Sequence, residues 1–202
     1  MPADSKTKTT ILKLRRHKRT REKTCIVTAY DYPQSLIADK AGVDAILVGD
    51  SCGMTTHGYK TTIPVTMDIM VTHCESVSRG AKDAFLIGDM PYMSYQPSDQ
   101  IAVENAGRFV VAGMDCVKVE GAMIDRVKAI CDSGIMVMSH LGLTPHTRAK
   151  LGGYRVQGKT AKSAEIVLDQ ARRLQDAGCS FLLLEAMPTE PAGIIAETLD
   201  IP

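Results

Sequence analysis

The chain has 202 residues, 45% apolar and 23% charged, which suits one soluble globular domain with a real core. No apolar run approaches the roughly 18 residues that span a bilayer, and the polar, basic N-terminus lacks the apolar centre of a secretory signal. The net charge of +1 is unevenly spread, with nine Lys or Arg against two acids in residues 1–24 and an acidic balance beyond.

In chain order, "LKLRRHKRTREK" comes first. A nucleic-acid arm or a transit-like segment would be basic in this way. The stretch has no interleaved aromatics, so it reads as a solvated N-terminal helix. Residues 1–23 are therefore set apart as a basic, helical segment, and 24–202 as one domain.

Six short apolar runs follow: "TCIVTAY" (24–30), "DAILVGD" (44–50), "AFLIGDM" (84–90), "MDCVKVEG" (114–121), "GIMVMSH" (134–140) and "SFLLLEA" (180–186). They are rich in Val, Ile and Leu on both faces, as parallel strands buried on two sides should be. Amphipathic stretches lie between them, such as "PQSLIADKAG", "SDQIAVENAGRFVVAG" and "AKSAEIVLDQARRLQDAG". All three end in Ala-Gly, which suits a helix stop with glycine past the last turn. Alternating strand and helix argues for α/β architecture.

Polar residues choose between an open sheet and a barrel. Asp50, Asp89, Lys118, Glu120, His140 and Glu185 all lie at the C-terminal ends of predicted strands. In a (β/α)₈ barrel those ends converge on one mouth, whereas an open sheet would spread them along a line. Such barrels need ~250 residues. The expected fold is thus a (β/α)₈ TIM barrel, truncated after about six βα units, with its C-terminal units missing. Cys25, Cys52, Cys74, Cys116, Cys131 and Cys179 have no zinc-type spacing and read as reduced, mostly buried thiols of a cytosolic protein.

The stretch from Gly153 to Thr160 matches Gly, four residues, Gly, Lys, Thr, the pattern of a phosphate loop. That loop must leave a buried strand and open into a helix. A helical pattern does follow Thr160, but "PHTRAKL" before Gly152 is loop chemistry. The nucleotide-binding reading is therefore set aside, and another use of the loop is left open.

The clustered acids suggest a chemistry. Asp50, Asp89 and Glu120 form an oxygen-rich mouth, and hard oxygen donors suit Mg²⁺. Without a cation they would repel one another. Lys118 and Glu120, two apart on one strand, share a face. Lys118 could hold a substrate carboxylate or stabilise an enolate. Glu185 follows "FLLL", and apolar surroundings would raise its pKa and suit it as a general base. Ser51 in "GDSCGM" could bind a substrate carboxylate. The constellation suggests enolate chemistry on a small 2-oxo acid.

"TAYDYPQSLIADKAGVDAILVGDSCGM", "GYKTTIPVTMD", "GDMPYMSY", "VKVEG", "SHLGLTPH" and "LGGYRVQGKT", in this order, resemble the ketopantoate hydroxymethyltransferase family of the phosphoenolpyruvate mutase and isocitrate lyase barrel group. The resemblance runs from about residue 10 to the end. It implies transfer of a hydroxymethyl group from 5,10-methylenetetrahydrofolate to 3-methyl-2-oxobutanoate through a magnesium-bound enolate, giving 2-dehydropantoate for pantothenate synthesis. It further implies that Asp50 and Asp89 ligate Mg²⁺, with Glu120 completing the site. Asp50, Ser51, Asp89 and Lys118 would contact the oxo acid, His140 would line the mouth in support, and Glu185 would take the proton. A homo-oligomer in the cytoplasm, or in the mitochondrion of a eukaryotic host, is expected, with small-molecule partners and neither nucleic acid nor membrane.

The pattern is not followed everywhere. Cys52 and Thr55-Thr56-His57 stand where more apolar residues are expected. His57 reads as a solvent-facing loop histidine, with tuning of the folate side of the pocket as the alternative. Two other functions stay open. One is a related oxo-acid C–C lyase or mutase, disfavoured because "MPYMSYQPSDQ" lacks the cysteine usual in that group. The other is a truncated, non-catalytic barrel fragment.

Overall fold

The structure, a computed structural model, describes residues 7–150 and 152–202. Six strands form: β1 (Ile26–Thr28), β2 (Ala45–Val48), β3 (Phe85–Asp89), β4 (Cys116–Glu120), β5 (Met136–Gly142) and β6 (Phe181–Glu185). They are all parallel, and each pairs with its neighbour in sequence. That is the strand order of a barrel wall and not of a doubly wound sheet, whose order reverses at a switch point. Among the described residues eight α-helices accompany them: α1 (Ile11–Thr20), α2 (Tyr32–Ala41), α3 (Cys52–Thr55), α4 (Met67–Gly80), α5 (Asp99–Val111), α6 (Ile124–Asp132), α7 (Ala161–Asp176) and α8 (Thr189–Thr198).

The helices begin and end where local chemistry dictates. Asp31, Thr66, Ser98 and Thr160 cap α2, α4, α5 and α7 by accepting from the N–H three residues on. The α7 cap is reciprocal, because the Ser163 side chain also receives the Thr160 N–H. After α7, Gly178 takes φ +99°, a backbone conformation glycine adopts at little cost. Gly153 to Thr160 is no phosphate loop, since the preceding strand ends at Gly142 and Pro145–Thr147 form a 3-10 turn.

The two-residue period of the strands builds two cores. Outward side chains such as Ile46, Leu86, Val117, Val119 and Val137 pack against the helices. Inward ones, Ala45, Phe85, Ile87, Cys116, Met138 and Phe181, form a second cluster inside the curl of the sheet. Laid flat, β3 and β6 would stand roughly 14 Å apart, three strand spacings. The Phe85 and Phe181 rings nevertheless lie 5.5 Å apart, centroid to centroid. The sheet is therefore rolled, which makes the strand tips converge.

Helix α1 closes the floor. Leu14 inserts into the inner cluster and is 2% exposed. Lys13 and Lys8 pair with Asp44 and Asp115, and the Thr9 N–H donates to the Asp83 carbonyl. These partners all lie at the N-terminal ends of strands, so the basic helix is fastened to the underside of the sheet.

Deleting the buried side chain in Leu14→Ala should cost about 3 kcal/mol of unfolding free energy. Leu12→Ala, on the solvent face at 71% exposure, should cost under about 0.5 kcal/mol. Urea denaturation of both variants checks this, and equal effects would show that α1 does not plug the core.

Candidate active site

The inward column of each later strand starts with an apolar residue and ends with an ionisable one; the middle residue is apolar on β3, β5 and β6 and is Lys118 on β4. It reads Phe85–Ile87–Asp89 on β3 and Cys116–Lys118–Glu120 on β4. It continues as Met136–Met138–His140 on β5 and Phe181–Leu183–Glu185 on β6. The apolar members fill the interior, and the last members surround its mouth. Asp50 and Ser51 reach the same place from the turn after β2. Asp50, Ser51, Asp89, Lys118, Glu120, His140 and Glu185 all line one cavity of about 370 Å³. The structure thus brings together every candidate named from the sequence.

Register places the strongest contact. Asp89 and Lys118 are direct neighbours across β3 and β4, and Lys118 Nζ donates to Asp89 Oδ1 at 2.6 Å. Both side chains are buried. The Asp50 N–H donates to the other oxygen, Asp89 Oδ2, at 3.1 Å. Burial of Asp89, with the nearby Asp50 charge, outweighs the help from Lys118 and pushes its pKa up to about 6. Burial would depress Lys118, but Asp89 and Asp50 keep its pKa above the ordinary value.

A residue the sequence reading passed over ties the acids together. His146, in the 3-10 turn after β5, places Nε2 2.7 Å from Asp50 Oδ2. Its backbone N–H donates to Glu120 Oε1 at 2.7 Å, and Nδ1 lies 3.2 Å from the Tyr95 hydroxyl. Burial opposes the charge on both partners. The His146 bond and the Lys118 charge still lower the Asp50 pKa, and the acids raise that of His146. Glu120 fares differently, because burial exceeds the help of His146 and Lys118 and lifts it to about 7. Tyr95 is fully buried and receives the Glu120 N–H at 3.1 Å. "SHLGLTPH" and "GDMPYMSY" contain both residues, but nothing in their spacing marks them.

Glu185 corrects one expectation. Its side chain is 43% exposed, with Oε2 3.2 Å from His140 Nε2. The His140 contact lowers its pKa against the opposing effect of burial, so apolar surroundings do not raise it. His140 is buried and its pKa is lowered, chiefly by burial. Neither of its ring nitrogens has a well-aligned hydrogen-bond partner among the described residues. Gly142 brings β5 and β6 together here, at φ +91°, where a Cβ would lie 2.2 Å from the Glu185 carbonyl oxygen. Ser51 Oγ shares a 2.8 Å hydrogen bond with the Tyr30 hydroxyl. Burial also pushes the Cys52 thiol up to about 12, so it supplies no free thiolate.

The donor set fits a hard divalent ion. Three buried carboxylates share one lysine, and two of them are held above the ordinary carboxylate range for want of positive charge. Their oxygens do not all lie within 4.8 Å of one another.

The family model described as ketopantoate hydroxymethyltransferase matches residues 8–202. A 3-methyl-2-oxobutanoate hydroxymethyltransferase from Alkaliphilus metalliredigens is 48% identical over 198 residues, which is 96% of this chain and 70% of that protein. The protein of the same name from Thermotoga maritima is 50% identical over 184 residues, covering 90% of this chain and 68% of its own. Among solved structures, 2,3-dimethylmalate lyase, a PEP mutase/isocitrate lyase superfamily member, matches with TM-score 0.69 at 17% identity. The match covers 93% of this chain and 68% of that one. A phosphonopyruvate hydrolase in complex with oxalate and Mg²⁺ matches with TM-score 0.69 at 12% identity, over 94% and 67%. At these identities the structural likeness is one of fold.

The raised carboxyls make a signed prediction for metal-free protein. Between the unfolded carboxylate range and pH 7 the folded state binds more protons than the unfolded one. Stability should therefore fall as pH rises from about 4.5 to 7. Glu120→Gln should flatten that slope. Thermal melts of both proteins in chelator across this window check it, and parallel curves would assign the slope elsewhere.

Proposed function

The chain belongs to the ketopantoate hydroxymethyltransferase family, and from that premise we propose that it transfers a hydroxymethyl group from 5,10-methylenetetrahydrofolate to 3-methyl-2-oxobutanoate, giving 2-dehydropantoate. The observation that carries this reading is the convergence of three carboxylates, a lysine and a half-exposed glutamate on one cavity. Its volume of about 370 Å³ is ample for a small oxo acid. A second cavity of about 680 Å³ shares Glu120 with the first and leaves room for a larger co-substrate.

Asp50, Asp89 and Glu120 are the residues to hold Mg²⁺, which keeps several waters and needs only one or two direct carboxylates. Bound there, the ion would polarise the 2-oxo group and make the neighbouring C–H acidic. The protein's own groups do the rest. Ser51, steadied by Tyr30, binds the substrate carboxylate. The Lys118 ammonium meets negative charge growing on the substrate oxygen, inside a cavity where such charge is poorly solvated. Glu185, whose pKa the His140 contact lowers, takes the C3 proton. The bonding pair stays on carbon and forms the new bond to the one-carbon unit. Both C–N bonds of the folate methylene bridge break, water supplies the hydroxyl oxygen, and the proton taken by Glu185 and one proton from water end on the two folate nitrogens. His140 lies against the base and fixes its position.

Incubation with Mg²⁺, 3-methyl-2-oxobutanoate and 5,10-methylenetetrahydrofolate should yield 2-dehydropantoate by mass spectrometry; no product would set this reaction aside. Glu185→Gln should abolish exchange of the substrate C3 proton in deuterated water while Mg²⁺ affinity stays within about twofold. Asp89→Ala should weaken Mg²⁺ binding by at least about tenfold. NMR and calorimetry read these. Retained exchange would remove Glu185 as the base, and unchanged affinity would remove Asp89 as a ligand.

A further inference from the structure

Outside the carboxylate cavity, one cluster of metal-type donors among the described residues remains unused. Cys52, His57 and His73 each present a donor atom within 4.8 Å of the other two. Cys52 is fully buried at the start of α3 and His73 is half-buried on α4. His57 follows α3 with its ring stacked on Tyr59, centroids 5.8 Å apart. Two of these three, Cys52 and His57, are the residues that depart from the family's apolar pattern.

Hydrogen-bond chemistry fixes the tautomer of the central imidazole. His73 Nδ1 lies 2.6 Å from the Tyr30 carbonyl oxygen, which can only accept. Nδ1 therefore carries the proton and Nε2 presents its lone pair. His57 Nε2 lies 2.9 Å from that lone pair. A backbone carbonyl behind the far ring nitrogen is the support that ligating histidines require. The Cys52 thiol meanwhile has the Met70 thioether, at 3.7 Å, as its one side-chain hydrogen-bond partner among the described residues.

We propose that Cys52 Sγ, His57 Nε2 and His73 Nε2 form a binding site for Zn²⁺, distinct from the carboxylate site. Tetrahedral zinc with one sulfur and two nitrogens sets its ligand atoms roughly 3.3–3.6 Å apart. The imidazole nitrogens need to separate by only a few tenths of an ångström. Zinc replaces the proton between them, the His57 proton moves to Nδ1, and the thiol proton leaves to solvent as the sulfur–metal bond forms. The exposed side at His57 leaves the fourth position to water. Sulfur and imidazole select zinc over magnesium, as the carboxylates do the reverse. The ion joins α3 to α4 across residues 56–66 and so braces the turn carrying Asp50 and Ser51.

The site stands or falls independently of the transferase reading, and cobalt separates the two. Co²⁺ can enter an oxygen site, but only sulfur ligation adds a thiolate-to-metal charge-transfer band. The full chain, dialysed in excess Mg²⁺, should hold one equivalent of zinc. Replacement by Co²⁺ should give the sulfur band. Cys52→Ser should abolish the band, and His57→Gln should weaken zinc binding at least about tenfold. His57 is exposed, so its variant keeps the test decisive even if Cys52→Ser does not fold. No sulfur band in the parent chain, a band surviving Cys52→Ser, or zinc affinity unchanged in His57→Gln would each overturn the site.

Discussion

Three carboxylates buried around a single lysine are the constraint to which the rest of the mouth answers. Asp50, Asp89 and Glu120 are all under a tenth exposed, and taking such charges out of water is costly unless each finds a partner. Lys118 serves Asp89, and His146 serves Asp50 and lends its backbone N–H to Glu120. The compensation is incomplete, which is why burial still lifts Asp89 and Glu120. A site short of positive charge is a site ready for a cation. The structural pairs hold the acids in place without removing their need for one.

The rolled sheet makes that arrangement possible. Parallel strands paired in sequence order put every C-terminal tip on the same side, and the curl seen in the Phe85–Phe181 contact draws the tips inward. Below them the aromatic and aliphatic members of the same columns pack on one another, Phe85 against Phe181. Leu14 packs into that cluster from a helix that looks, from composition, like a solvated basic arm. Lys13 of that helix and Lys8 just before it pair with acids at the strand starts, while Lys18 donates to the Ala196 carbonyl. Charge count alone could not distinguish solvation from that fastening.

Much of this was legible in the sequence because strand signals are local. Runs such as "AFLIGDM" and "MDCVKVEG" fix strand, direction and terminal acid together, and the two-residue period puts Lys118 and Glu120 on one face with Val119 behind. His146 and Tyr95 were not legible. They lie in irregular segments, and their roles exist only after β5 and the segment following β3 fold over the mouth. Glu185 was located correctly but its surroundings were not. The leucines before it alternate between faces, and the last position of β6 stands at the rim, so its neighbour is His140 and not an apolar wall. The match from Gly153 to Thr160 failed for the opposite reason. The letters agree, while Thr160 is spent capping α7 and no strand leads into the loop.

The turn after β2 shows how two chemistries can lie side by side without competing. Asp50 and Ser51 point into the mouth, among carboxylates and an ammonium group. Cys52, one residue on, turns into the layer between sheet and helices, where it meets Met70 and the α4 face that carries His73. One peptide step therefore separates hard oxygen donors from soft sulfur and imidazole donors. The sets lie on different sides of the turn, with Asp50 at the mouth and Cys52 packed against Met70. Selectivity between the ions then follows from ligand type, and rigidity is shared, since whatever fixes α3 also fixes the first carboxylate of the cavity.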